Sequence, residues 1–195
     1  MQIKKLKLGL FPTSVKNILI LSVALFSIQC STAQSNEETS KETEKTIEVG
    51  DHLPSFTLKD QNNKVFSIDS VIGTQNLVIY FYPKDDTPGC TKEACTFRDK
   101  FDVFKDANAL VIGISADSPA SHKAFAKKYD LPFILLSDEE DKVRALFGVP
   151  GSLMGIIPGR VTYIADKEGI VQKVYNSQTN AEQHAQEAID ILKTM

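Results

Sequence analysis

Residues 77–104, LVIYFYPKDDTPGCTKEACTFRDKFDVF, join an apolar run of strand length to a helical period through a short polar loop. Leu77–Tyr82 is wholly β-branched, aromatic or leucine, and Pro83 bounds it. Thr87 is a good helix N-cap, with Pro88 behind it at the first helical position. At about 100° per residue, Cys90, Ala94, Phe97, Phe101 and Phe104 fall within an arc of roughly 80°. The pattern predicts a buried strand that delivers a cysteine to the first turn of an amphipathic helix.

That placement has chemical consequences. A helix N-terminus offers unpaired N–H groups and a partial positive charge. Both favour thiolate over thiol, and the thiolate is the nucleophile. Cys95 follows five residues later. Two helical residues at that spacing have Cα atoms about 8.7 Å apart and point about 140° apart around the axis. A disulfide needs Cα atoms closer than about 7 Å. If both cysteines are helical when reduced, they join only when the turn between them unwinds. The stretch therefore predicts a redox couple tied to a local conformational change.

The chain has 195 residues, enough for one domain after removal of a leader. The first 33 residues hold Lys4, Lys5, Lys7 and Lys16 and no acid. The remaining 18 basic and 25 acidic residues give the rest of the chain a formal charge of −7. An acidic domain argues against nucleic acid as the main partner. Residues 1–33 read as a signal peptide, because the apolar run Ile18–Ile28 is too short to cross a bilayer, which takes about 20 residues. Ser31-Thr32-Ala33 is a small-residue cleavage site that leaves Gln34 first, while Cys30 supports a competing reading as a lipoprotein cysteine. An uncleaved anchor is the third option. Either main route exports the chain to an oxidising compartment, the periplasm or envelope of a bacterium, with membrane attachment only if Cys30 is lipidated. Residues 34–46, QSNEETSKETEKT, read as a disordered polar linker.

From Ile47 the sequence alternates strand and helix signals. Ser55–Lys59 and Lys64–Ile68 flank an Asp60–Asn63 turn. After the cysteine helix come an apolar strand, Ala109–Ser115, and a helix opened by Ser118-Pro119 and running to about Tyr129. Phe133–Leu136 reads as a strand, Ser137–Asp141 as an acidic helix start, and Val143–Phe147 as its continuation to Gly148. Residues 148–159 are loop. Arg160–Ala165 and Ile170–Tyr175 flank a hairpin signal at Asp166–Gly169. Asn180 caps a last helix with an apolar stripe at Ala185, Ala188, Ile189 and Leu192. This order predicts an α/β fold with a mixed central sheet flanked by helices on both faces.

Pro83, Thr87 and Cys90 fit the pattern P-x-x-x-T-x-x-C, which resembles the signature of peroxiredoxins. With Cys95 the stretch is similar to the bacterioferritin comigratory protein / peroxiredoxin Q branch, an atypical two-cysteine type. There the resolving cysteine lies in the same helix as the peroxidatic one. The resemblance covers residues 47–195 and implies a thioredoxin-like fold. It implies that Cys90 is peroxidatic, that Cys95 resolves it as a disulfide, and that the counterpart of Thr87 bonds the peroxide. The counterpart of Pro83 packs over the sulfur. An arginine matching Arg160, in a Gly-Arg-strand context, reaches thiolate and peroxide, and a residue matching Glu93 orients that network. Gly89 supplies the backbone beside Cys90.

Taken without the resemblance, several of these readings stay open. Thr87 has a capping role that alone explains a threonine. Arg160 reads as a surface arginine, and Glu93 suits any first helical turn. Arg98 is a rival to Arg160, lying about 80° off the Cys90 line of the helix. His52 reads as a surface or structural histidine. His52, His122 and His184 share no zinc-type spacing with either domain cysteine, and no glycine-rich phosphate loop is present.

The function expected is a thiol-dependent peroxidase acting on hydrogen peroxide and organic hydroperoxides without haem, flavin or metal. A thioredoxin-like dithiol is its expected reductant, and a monomer its expected state. Two alternatives are an exported thiol–disulfide oxidoreductase, for which C-x4-C is a poor substitute for C-x-x-C, and a non-catalytic envelope protein with a structural disulfide.

Overall fold

The computed structural model describes residues 46–151 and 155–195. The leader and all of the tether except Thr46 lie outside these residues. The domain opens with a hairpin, β1 (Thr57–Asp60) and β2 (Val65–Ser67), closed by Asp60, whose carboxylate accepts from the N–H groups of Asn62 and Lys64. A 3-10 turn at Ile68–Ser70 leads to β3 (Asn76–Phe81). Then follow α1 (Pro88–Asp99), α2 (Phe101–Asp106), β4 (Ala109–Ser115), α3 (Pro119–Tyr129) and β5 (Ile134–Ser137). The chain ends with α4 (Lys142–Leu146), β6 (Val161–Ala165), β7 (Val171–Asn176) and α5 (Ala181–Leu192).

The seven strands form one sheet in the order β2-β1-β5-β4-β3-β6-β7. The β3–β4 and β4–β5 pairs are parallel and the others antiparallel, so the sheet is mixed as the element order predicts. β3 is interior and covered on both faces, hence its unbroken apolar run. Its side chains alternate between two cores. Val78, Tyr80 and Tyr82 pack with Cys90, Ala94 and Phe97 of α1 and Ala185, Ala188 and Leu192 of α5. Leu77, Ile79 and Phe81 pack on the other face with Ile112, Phe147, Val161 and Tyr163. α1 and α5 therefore lie side by side on one face of the sheet, packed against each other.

Two helices differ from the sequence reading. The period from Cys90 to Phe104 spans two helices, not one. Lys100 caps α1 with φ −106° and ψ 12°, its N–H shared between the carbonyls of Thr96 and Arg98. The chain restarts as α2 with Phe104 still buried, so burial keeps the period where the backbone breaks. The acidic stretch after β5 is a capping loop. Asp138 accepts from the N–H groups of Val143 and Arg144 at 3.1 and 2.8 Å, which holds the helix start at Lys142.

In the middle of β4, Gly113 makes room for Tyr80. A Cβ there would sit 2.6 Å from the Tyr80 ring and 2.8 Å from Leu135 Cδ2. Gly113→Ala is expected to destabilise the domain by about 1–3 kcal/mol through overpacking, read by urea unfolding. A change below about 0.5 kcal/mol would show that this face yields.

Candidate active site

The site lies past the carboxyl end of β3, where open α/β sheets place their ligands. The loop between β3 and α1 is pinned from below and from the side. Asp85 is buried, and Tyr82 Oη, Ser121 Oγ and His122 Nδ1 converge on its carboxylate at 2.7, 2.8 and 2.9 Å. Its own N–H donates to Asp117 Oδ2 at 2.8 Å. Asp86, with φ 59°, accepts from Lys128 Nζ and Tyr129 Oη, both at 2.7 Å. With that loop fixed, Thr87 takes the N-cap position and Pro88 the first helical one, as the sequence predicts.

The Thr87 hydroxyl does not bond the helix N–H groups. It donates back to Lys84 O at 3.0 Å, while the Thr87 carbonyl accepts from Thr91 N–H at 2.8 Å. Its proton is thereby committed and its lone pairs remain for an outside donor. The N–H groups of Gly89 and Cys90 lie in the first turn, where a helix has no internal acceptor for them. Pro83 is half-buried at the loop's start.

Cys90 is a free thiol only 1% exposed. Arg160, immediately before β6 and 3% exposed, donates from Nη2 to Cys90 Sγ at 3.3 Å. Its Nη1 donates to Glu93 Oε2, and its Nε reaches Gln178 O at 3.4 Å. One planar fork thus spans a sulfur and a carboxyl group three residues apart on α1, a geometry that suits a guanidinium better than a lysine ammonium. Gly89 keeps the path open, since a Cβ there would lie 3.2 Å from Arg160 Nη2.

Behind Glu93 stands His184 of α5, with Nδ1 3.5 Å from Glu93 Oε1. His184 Nε2 faces Ser177 O at 2.8 Å and must donate there, so Nδ1 accepts from Thr162 Oγ1 at 2.8 Å. Burial pushes His184 down to about 4, helped by the charge of Arg160 and opposed by the bond to Ser177. Complete burial pushes Glu93 up to about 8, against the pull of Arg160. The guanidinium stays charged, held above its ordinary value by Glu93 and Cys90 although its own burial works against it.

The structure brings Cys90, Gly89, Glu93 and Arg160 together, with Thr87 on the same helix start. Arg98 is not part of this group: its Nη1 donates to Tyr129 O at 2.8 Å. Cys95 is a half-buried free thiol within the unbroken helix α1, so the spacing argument for Cys90 and Cys95 applies to this state. His52 is exposed and forms an isolated bridge with Ile170. Sequence reasoning missed His184, Thr162, Asp85 and His122. For His184 a signal existed: it stands four residues before Ala188, on the apolar stripe of α5, where a polar side chain needs a partner. A groove of about 600 Å³ is lined by Lys59, Asn63, Ser137 and Glu140 and by none of the site residues. Among the described residues no three His, Cys, Asp or Glu side chains are arranged to hold a metal ion.

The AhpC/TSA family model matches residues 49–174. Chloroplastic peroxiredoxin Q of Populus jackii is 54% identical over 149 residues, covering 76% of this chain and 70% of the relative. That of Arabidopsis thaliana is 56% identical over 147 residues, covering 75% and 68%. Among solved structures, peroxidoxin BcpB of Mycobacterium tuberculosis superposes with a TM-score of 0.71 at 34% identity, over 76% of this chain and 98% of that one. The chain belongs to the AhpC/TSA family, in its peroxiredoxin Q / bacterioferritin comigratory protein branch. It has the thioredoxin-like fold of peroxiredoxins and is a thiol-dependent peroxidase; the two alternative functions are not favoured. The expected localisation is corrected by the same comparison. The plant relatives are chloroplastic proteins, an organelle setting that contradicts export to a bacterial periplasm or envelope.

The shift of Glu93 gives a pH dependence of known sign. Its folded value stands near 8, above the ordinary 4.5, so the folded state holds a proton that the unfolded state has lost. The stability from neutral Glu93 is fully present below about 4.5 and is lost as pH rises through about 8. Glu93→Gln, which cannot ionise, is expected to remove a slope approaching 1.4 kcal/mol per pH unit in that window. Urea unfolding of both proteins at pH 5.5 and 7.5 reads it, and parallel pH dependences would contradict the assignment.

Proposed function

We propose that Cys90 is the peroxidatic nucleophile, Cys95 the resolving cysteine, and residues 47–195 the catalytic domain. The observation that carries this reading is the buried Arg160 fork, 3.3 Å from Cys90 Sγ. The Cys90 thiolate attacks one oxygen of a hydroperoxide in line with the O–O bond. That bond breaks, the sulfur gains the oxygen, and the other oxygen leaves as hydroxide or alkoxide and takes a proton. Arg160 and the N–H groups of Gly89 and Cys90 stabilise the negative charge as it moves onto the leaving oxygen. Thr87 accepts from the hydroperoxide O–H with the lone pairs its bond to Lys84 leaves free. Pro83 limits water at the sulfur, and Glu93 orients the Arg160 fork.

The sulfenic acid on Cys90 then condenses with the Cys95 thiol, forming the disulfide and releasing water. For this, α1 must unwind between the two cysteines. Its sequence, PGCTKEACTFRD, supports that: Gly89, Cys90, Thr91, Cys95 and Thr96 are all weak helix formers. Thr96 Oγ1 also bonds back to Lys92 O at 2.7 Å, a contact that loosens helices. A dithiol of the thioredoxin type reduces the disulfide by exchange. Because both cysteines belong to one helix, resolution needs no second subunit and a monomer suffices.

Cys90→Ser is expected to abolish hydrogen peroxide turnover. Cys95→Ser is expected to consume about one peroxide per chain and stop at the sulfenic acid, read by mass spectrometry. Retained turnover in the first variant, or loss of the single burst in the second, would overturn the assignment. Arg160→Met is expected to slow the oxidation of Cys90 by about 100-fold or more, the usual cost of losing one such donor.

A further inference from the structure

A second arginine joins the two segments that carry the site without touching it. The β3–β6 ladder ends at the pair Phe81↔Val161. Past that rung, one strand runs on as Tyr82-Pro83 toward Cys90, and the other begins as Gly159-Arg160. Pro83 has no N–H to extend the ladder. Two carbonyls, Tyr82 O and Gly159 O, are left at the end of the sheet.

Arg144 of α4 supplies the missing donors. Its Nη2 donates to Tyr82 O and its Nη1 to Gly159 O, both at 2.9 Å. The guanidinium is itself held in place. Nε pairs with Asp141 Oδ1 at 3.2 Å, and the group lies 5.5 Å from the Phe81 ring centroid. Its own backbone N–H is fixed by Asp138. The residue is 8% exposed, so the two carbonyls have little water to fall back on. The fork therefore ties the residue before Pro83 to the residue before Arg160.

We propose that Arg144 is a positioning residue of the peroxidase site, bridging Tyr82 and Gly159 so that the Arg160 fork meets Cys90 and Glu93. This rests on the roles given above to Cys90 and Arg160. Arg144 makes no contact with Cys90 and acts through Arg160. A planar fork with two separate donors suits two carbonyls on diverging segments, and a lysine ammonium brings both donors to one point.

A double-mutant cycle separates positioning from plain support of the fold. The full-length chain carries Arg144→Met, Arg160→Met, or both, and the second-order rate of Cys90 oxidation by hydrogen peroxide is read by peptide mass spectrometry. Circular dichroism checks that each variant is folded. Arg144→Met is expected to slow oxidation at least tenfold in the native background and less than threefold in the Arg160→Met background. Equal losses in both backgrounds, or no loss in the first, would overturn the proposal. If Arg144→Met does not fold, Arg144→Lys goes through the same cycle with the same thresholds, since it keeps the charge and loses the two-carbonyl bridge. Arg160→Met alone tests the parent reading. A native rate in that arm would sink the role of Arg160, and this proposal with it, whereas a slow Arg160→Met with additive Arg144→Met sinks this proposal only.

Discussion

The buried guanidinium of Arg160 organises this domain. It reaches α1 twice, at Cys90 and Glu93, and the α5 approach once, at Gln178 O. A charge taken out of water is costly, and a buried charged contact often stabilises a fold no more than apolar residues would. Here the guanidinium joins the end of a strand to the first turn of a helix, and it brings five donors to a place where negative charge is proposed to develop. Around it the fold supplies a second layer: His184 and Thr162 behind Glu93, and Asp85 with His122 beneath the loop that feeds α1.

The same contact sets up a conflict the proposed chemistry needs. With α1 helical, Arg160 holds Cys90 and Glu93 together and Cys95 points elsewhere. To bring Cys95 to Cys90, α1 must give up its first turns and with them the Glu93 contact. Other ties resist that opening: Lys92 pairs with Glu182 at 3.0 Å, and Lys100 Nζ donates to Gln186 Oε1 at 2.7 Å, both from α1 or its cap to α5. The Lys92–Glu182 pair is exposed and therefore weak. Segments that open locally are drawn from the less stable part of a fold, and α1, with Gly89, Cys90, Thr91, Cys95 and Thr96 among its residues, fits that description.

Much of this was legible because local chemistry and tertiary packing agreed. Ser118-Pro119 and the apolar run from Ala109 mark their elements to the residue, since a cap and a doubly covered strand are both local signals. The break at Lys100 was not legible, because periodicity reports which face is buried and says nothing about the axis. The Ser137–Asp141 stretch misled for a related reason: acidic residues suit a helix start, and Asp138 serves that start from outside it. Thr87 occupies the expected cap position, yet its hydroxyl closes the loop instead. Arg160 alone read as a surface residue; only the family resemblance brought it to the sulfur, where it is in fact buried. Arg144 was not singled out and His184 was weighed only as a metal ligand, although each is a polar side chain on the buried face of its helix. Which carbonyl or carboxylate such a residue meets depends on segments far away in sequence.

Amide hydrogen exchange of the full chain, before and after one equivalent of hydrogen peroxide, tests most directly whether α1 must open for the two cysteines to join. The account predicts that amides of residues 91–97 are protected in the reduced protein and exchange fast in the oxidised one, while β3 and β4 remain protected in both. A Cys90–Cys95 disulfide formed with α1 still protected would contradict it.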